Sequence, residues 1–340
     1  MDGQDNGVEP MLEALPDALV AAMEVRDAWR KRVAEQGEGL EFLISDLARW
    51  KPGSAVRVAF LDGDTALHQD IVDATKQITD ACNLELDFGK TAAGFRRWKT
   101  TDTERVAEIQ VSFDKGGFWS LVGTDSNDPD ISDPANGIGG GPGQRSLNLG
   151  GFVTQRPARW EGTARHEFMH ALAFHHAHQN MRGPCEDEFR WEDDPGYVPT
   201  KDARGTFIPD SAGRNPGIYT YLAGPPNRWS RGKVDHNLRT VESPDVIAGP
   251  FDTDSVMLYQ FQAFFYKSAP SPCGPTGDGE NLSDGDKRGL QLIYPHTEEG
   301  MADILTRAGA ALDKMGNEAG IERSPYEARV VELLNGMVAV

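Results

Sequence analysis

The stretch that most constrains this chain is His166-Glu167-Phe168-Met169-His170, continued by Ala171-Leu172-Ala173-Phe174-His175-His176-Ala177-His178. The chain holds 8 histidines, and most of them fall in this one short run. Residues four apart on a helix stand one above the other on the same face. His166 and His170 can therefore point both imidazoles at one metal ion. Glu167 sits beside them, placed to handle a proton from water. The plain alternative is a histidine-rich helix facing solvent.

H-E-x-x-H is the short form of a zinc peptidase site. A catalytic zinc needs a third protein ligand and an open fourth position. His175, His176 and His178 follow closely enough to serve. Glu188 and Glu192 stand near the distance used by peptidases with a downstream glutamate ligand. Thr163, three residues before His166, suits the N-cap of a helix over 164–174.

Length and charge bound the rest. At 340 residues the chain suits one large or two modest domains. Its 53 acidic against 34 basic residues give a net charge of −19. Nucleic acid and anionic membranes both attract basic surfaces, so neither is expected as a partner. No apolar run reaches the ~18 residues of a membrane span. The first residues, Met1-Asp2-Gly3-Gln4-Asp5, show neither the basic start nor the apolar run of a secretory signal. That leaves a cytoplasmic site, export by another route, or removal of a leader all open. The oligomeric state is equally open. Cys82, Cys185 and Cys273 form no C-x-x-C pair. Cys185 and Cys273 can make a disulfide, and three free thiols in a reducing compartment fit the count as well.

Along the chain, residues 1–9 read as disordered, 10–36 as largely helical, and about 40–50 as a second short helix. Pro16 suits the first position of the first helix. The alternation in Ala55–Leu61 predicts a strand. Leu67, Ile71, Ala74, Ile78 and Ala81 predict a helix over 65–82 with one apolar face. Leu84–Phe88 and Glu108–Phe113 read as further strands. Strand, helix, strand, strand is an α/β arrangement with a mixed sheet, and the chain as a whole is expected to be α+β. Residues 123–144 form a long Gly- and Asp-rich loop. In it Asp125, Asp128 and Asp130 are oxygen donors of the kind calcium takes, although their spacing is not that of an EF-hand. Ser146–Leu149 reads as a short strand. Placed at a sheet edge above the metal it could pair with an extended peptide; otherwise it is an internal strand. Met301–Met315 and Pro325–Met337 are amphipathic and read as two helices, either packed on the domain or docking a partner.

Further features make a family resemblance specific. H-E-x-x-H-x-x-G-x-x-H with a later Met-turn is the metzincin signature. Asp254-Ser255-Val256-Met257-Leu258-Tyr259 resembles the S-x-M-x-Y turn of astacins. His178-Gln179-Asn180, Gly224-Pro225-Pro226-Asn227-Arg228-Trp229-Ser230 and Val234-Asp235-His236-Asn237 are similar to segments of a microbial astacin-like branch. So is Trp119-Ser120 with Gly123-Thr124-Asp125, and Asn281–Pro295 resembles the helix that closes such domains. The resemblance covers about residues 50–296.

What it implies is a zincin/metzincin-like fold. A twisted mixed sheet with helices makes an upper subdomain, an irregular lower subdomain lies below it, and the active-site cleft runs between them. Residues 1–50 become a helical N-terminal extension and a candidate pro-region. Residues 51–296 become the catalytic domain, split into about 51–176 and 177–296, and 297–340 a C-terminal helical tail. His166, His170 and His176 are the implied zinc ligands, Glu167 the catalytic base, and Met257 the methionine under the metal. Tyr259 is a zinc-binding or oxyanion-stabilising tyrosine. The activity implied is hydrolysis of peptide bonds in proteins. A non-catalytic zinc-containing binding module, or a narrow self-processing or toxin-like protease, are the alternatives. By the same resemblance the protein is secreted if a leader is removed.

Two departures stand out. The family's glycine in the third-ligand turn is Ala173 here, and a left-handed conformation at alanine costs about 1–2 kcal/mol. The glutamate that follows the third histidine in animal astacins is Ala177, so a buried matured N-terminus is not expected. Phe261, Phe264, Phe265 and Tyr266 after the Met-turn are either a pocket for an apolar substrate side chain or core. Lys267 beside them could recruit an acidic one.

Overall fold

The computed structural model describes residues 15–36, 47–240, 249–316 and 325–338. The disorder expected for residues 1–9, and most of the helix expected at 40–50, lie outside the described residues.

The centre is a five-stranded sheet. β1 (Ala55–Phe60), β2 (Glu85–Asp87), β3 (Ile109–Ser112), β4 (Phe118–Ser120) and β5 (Leu147–Leu149) lie in the order β2-β1-β3-β5-β4. The first four in space are parallel, and β4 closes the row antiparallel to β5. Parallel strands are covered on both faces, and β3 and β5 are buried at every position. A mixed α+β fold is therefore present. One placement differs from the edge reading of Ser146–Leu149. That strand is internal, bonded to β3 on one side and β4 on the other. The sheet's edges are β2 and β4.

Helix α1 (Asp17–Gln36) precedes the sheet, starting right after Pro16. Helix α2 (Thr65–Ala81) follows β1, opened by Asp64, whose side chain accepts from the amide of Leu67. Its buried face of Leu67, Ile71, Ala74, Ile78 and Ala81 is the one the 3.6-residue period predicts. Helix α3 (Trp160–Ala171) carries the histidine motif and packs between α2 and the sheet. Val58, Phe60, Ile71, Ile109, Leu147, Phe168 and Met169 belong to the same core, as does Met257. The lone thiol, Cys82, is buried there, and burial pushes it up to about 12, leaving it inert.

Below α3 regular structure is sparse. Two short helical turns (Cys185–Glu188 and Ile218–Ala223), a two-residue ribbon pair and α4 (Arg231–Leu238) surround a second core. Cys185 and Cys273 are joined in a disulfide at the heart of this core. Phe261, Phe265 and Tyr266 are buried in it, Phe264 is half-buried, and Lys267 donates to the carbonyl of Asp187 at 2.7 Å. Phe261, Phe265 and Tyr266 thus fill the core, Phe264 packs against it, and Lys267 lies outside it, exposed.

Helix α5 (Asp284–Ile293) returns to the upper core. Helices α6 (Glu298–Gly316) and α7 (Pro325–Val338) then pack on each other around Ile304, Ala308, Val330 and Leu334. No described helix is long and apolar enough to cross a membrane.

Candidate metal centre and active site

Helix α3 starts three residues before the expected cap. Thr163 lies inside it, its hydroxyl bonded to the carbonyl of Arg159 at 3.2 Å. The helix is pinned by Arg165, which donates to the carbonyls of Ala74 (2.8 Å) and Glu280 (2.6 Å). One turn of this fixed helix separates His166 from His170. Both are buried, as is Glu167.

The helix then ends abruptly, and this end decides the site. Ala173 has φ of +73°. The amide of Phe174 donates to the carbonyl of Met169 (3.1 Å) and that of Ala173 to His170 (2.9 Å). This is a Schellman ending with alanine at the left-handed position where glycine is usual. The next orphan carbonyls find partners from far away. The indole of Trp50 donates to Ala171 at 2.8 Å and the phenol of Tyr294 to Leu172 at 3.1 Å. Burial pushes the Tyr294 phenol well above its ordinary range, which keeps it a donor. Gly123 lies against this turn. A Cβ there would stand 3.0 Å from that of Ala173 and 1.8 Å from the carbonyl oxygen of Ala48. Ala173→Gly should therefore stabilise the protein. It relieves about 1–2 kcal/mol of left-handed strain and concedes roughly 0.4–1 kcal/mol to the freer unfolded chain. A higher urea midpoint is the expected reading.

The turn brings His176 to its partners. Nε2 of His170 lies 3.1 Å from Nε2 of His166 and 3.1 Å from Nε2 of His176. Nδ1 of His166 faces the carbonyl of Val256 at 2.8 Å, and Nδ1 of His170 that of Phe174 at 2.6 Å. A carbonyl only accepts, so both Nδ1 atoms carry the hydrogen and both Nε2 atoms present lone pairs. Lone pairs that face each other repel unless a cation stands between them. Tetrahedral zinc with bonds of about 2.0–2.1 Å sets its nitrogen ligands roughly 3.3 Å apart, close to what is found. Imidazole donors with outer hydrogen bonds to carbonyls are the usual zinc set. Three protein ligands would leave a fourth position open, which is what a catalytic zinc keeps and a structural one does not. Among the described residues these three are the only His, Cys, Asp or Glu group close enough to share an ion.

The other candidates lie elsewhere. His175 is exposed. Glu188 accepts from the hydroxyls of Ser268 and Ser271, and Glu192 pairs with Arg231. Asp125 is held by Arg26, and Asp128 accepts from the amide of Asp130.

His178 is buried and stacks on His176, with centroids 4.9 Å apart. Its Nε2 donates to the carbonyl of Asn237 at 3.1 Å, and Gln179 donates to those of His236 and Arg239. These side chains cap the C-terminal end of α4. The neighbouring His-Gln-Asn and Val-Asp-His-Asn stretches thus belong to one joint, and His236 contributes its backbone to it.

Met257 is buried in the upper core, and its carbonyl accepts from the amide of Ala177 at 2.9 Å. The Tyr259 ring stacks on His166 (5.3 Å) and lies tilted against His176 (4.4 Å). Sequence reasoning missed the supports. Trp50 and Tyr294 reach the end of α3 across more than a hundred residues, and no local pattern marks them.

No protein-family model matches the chain, and no curated protein does. Solved structures similar to it include two of myroilysin. One is 23% identical, covers 74% of this chain and 97% of that chain, and has a TM-score of 0.49. The other is 21% identical, covers 73% and 86%, and has a TM-score of 0.42. A third is high choriolytic enzyme 1, a hatching enzyme zinc-protease from the medaka fish Oryzias latipes. It is 16% identical, covers 74% and 96%, and has a TM-score of 0.41.

Proposed function

We propose that this chain is a metzincin-like zinc endopeptidase of the astacin type, cutting peptide bonds in proteins. The observation that carries the reading is the convergence of three imidazole nitrogens, two of them fixed as lone-pair donors by backbone carbonyls. Zinc bound there would supply Lewis acidity, polarising a carbonyl and bringing the pKa of water down to about 7.

The chain's own residues do the rest. His166, His170 and His176 hold the metal. The Glu167 carboxylate, next to His166 on the same helix, takes a proton from the attacking water and returns it to the leaving amine nitrogen. Tyr259, packed against two of the ligands, stabilises the oxyanion through its phenol. Tyr259→Phe should lower kcat with little change in KM; equal turnover would remove that role. The outer edge of β4 takes an extended substrate by strand addition.

Helix α1 supports the reading of residues 1–50 as a pro-region on a catalytic domain of 51–296, followed by the tail 297–340. Its Leu19 and Met23 pack on Trp119 and Leu121 at the edge strand. Arg26 pairs with buried Asp125, and Asp17 meets Lys233 of α4 at 2.8 Å. The helix so bridges the sheet edge and the lower half, where a substrate would lie. The Cys185–Cys273 bridge supports work in an oxidising compartment.

The test is a digest of a peptide mixture read by mass spectrometry, with zinc quantified in the same sample. Cleavage that stops with a chelator and returns with zinc is expected. It should be faster for a chain lacking residues 1–36. Intact peptides from both zinc-loaded chains would refute the peptidase.

A further inference from the structure

We propose that Asp286, at the start of α5, is a positioning residue for the metal-binding histidines. The inference rests on the zinc-site reading above and concerns how the site is held in shape.

Asp286 is buried, at 6% exposure. Part of its role is local. Ser283 and Asp286 form a capping box, with the Ser283 hydroxyl accepting from the Asp286 amide (2.9 Å) and the carboxylate accepting from the Ser283 amide (3.0 Å). A helix start needs no more than that. The carboxylate does more. Its Oδ1 accepts from the Ser255 hydroxyl at 2.6 Å, and its Oδ2 from the Val256 amide at 3.0 Å. Ser255 in turn accepts from the Met257 amide at 3.0 Å. One carboxylate thus fixes three successive residues of the Met-turn.

That turn reaches two of the three histidines. The carbonyl of Val256 accepts from Nδ1 of His166, and the carbonyl of Met257 accepts from the amide of Ala177, next to His176. Asp286 touches no ligand. It sets where the Val256 carbonyl stands, and that carbonyl sets the tautomer and tilt of His166. Such outer partners typically change metal affinity by about 10- to 100-fold when removed.

Substitutions can separate this role from helix capping. Asp286→Ala removes every contact. Asp286→Asn can keep its carbonyl oxygen on the two amides and turn its NH2 toward the Ser255 hydroxyl, so it should restore most of the function. Ser283→Ala loses the cap and leaves the carboxylate on the Met-turn. In zinc competition with a chromophoric chelator, Asp286→Ala should bind about 10- to 100-fold more weakly than wild type, with the other two within about threefold. In the zinc-free protein, nitrogen-15 spectra should show one His166 tautomer, protonated at Nδ1, and a mixture in Asp286→Ala. Should Asp286→Ala fail to fold, Ser255→Ala takes its place, with an expected drop of about threefold or more.

Unchanged zinc affinity and an unchanged tautomer in Asp286→Ala, or in Ser255→Ala where that variant is used, would overturn the proposal. So would an equal loss in Ser283→Ala. A wild-type chain that binds no zinc yet keeps His166 in the single tautomer, lost in Asp286→Ala, would fail the peptidase reading and uphold this one.

Discussion

Glu167→Ala should keep its zinc and lose its hydrolysis. A positioned acid–base group contributes about 100- to 10,000-fold to rate, and that is the expected fall in kcat/KM on any peptide the wild type cleaves. The outer contacts seen for the histidines on α3 do not involve the Glu167 side chain. His166 and His170 lean on the carbonyls of Val256 and Phe174. Zinc content measured beside the kinetics should therefore equal that of the wild type. Full activity in this variant would remove the mechanism. A binding module that keeps zinc for structure would show no hydrolysis in either protein.

His176→Ala should cost the metal itself. It takes away one of three protein ligands, so the loss of zinc affinity should exceed the roughly 10- to 100-fold typical of losing an outer partner. His175→Ala should leave the metal in place, since that side chain is exposed. His178→Ala should fall between them. His178 stacks on His176 and caps α4, and it stands outside the group of three that could share an ion. Zinc titration of the three variants orders them. If His175→Ala loses zinc while His176→Ala retains it, the ligand set is misassigned.

Much of this was legible in the sequence because the signals are local. The apolar face of α2 and the alternation of β1 are short-range patterns, and the structure places both within a residue or so of expectation. The i, i+4 histidines and the strained Ala173 were legible for the same reason. Thr163 misled because a hydroxyl before a motif looks like a cap, while helix α3 begins earlier at Trp160 and uses that hydroxyl internally. Whether Ser146–Leu149 was edge or internal stayed open in the sequence because it and Phe118–Ser120 are both very short. Only the pairing decides which is outermost, and pairing is a long-range fact. The aromatic run after the Met-turn has equal composition as pocket or core. Its burial around the disulfide shows core. Trp50, Tyr294 and Asp286 carry no local mark, since their function is to satisfy backbone groups of distant segments.

The disulfide has a consequence for a protein of this kind. The half below α3 is poor in regular structure, and stretches with few backbone ladders open most readily. If the chain is the endopeptidase proposed above, it is surrounded by copies of itself, each able to cut a neighbour caught open. Cys185 and Cys273 bracket most of this half, 88 residues apart in sequence, and a crosslink of that span restrains the opened state by about 4–5 kcal/mol in the chain-entropy account. The bridge so governs the lifetime of the population as much as the fold of one molecule. Once it is reduced, inactivation becomes a bimolecular event whose rate climbs with the square of enzyme concentration.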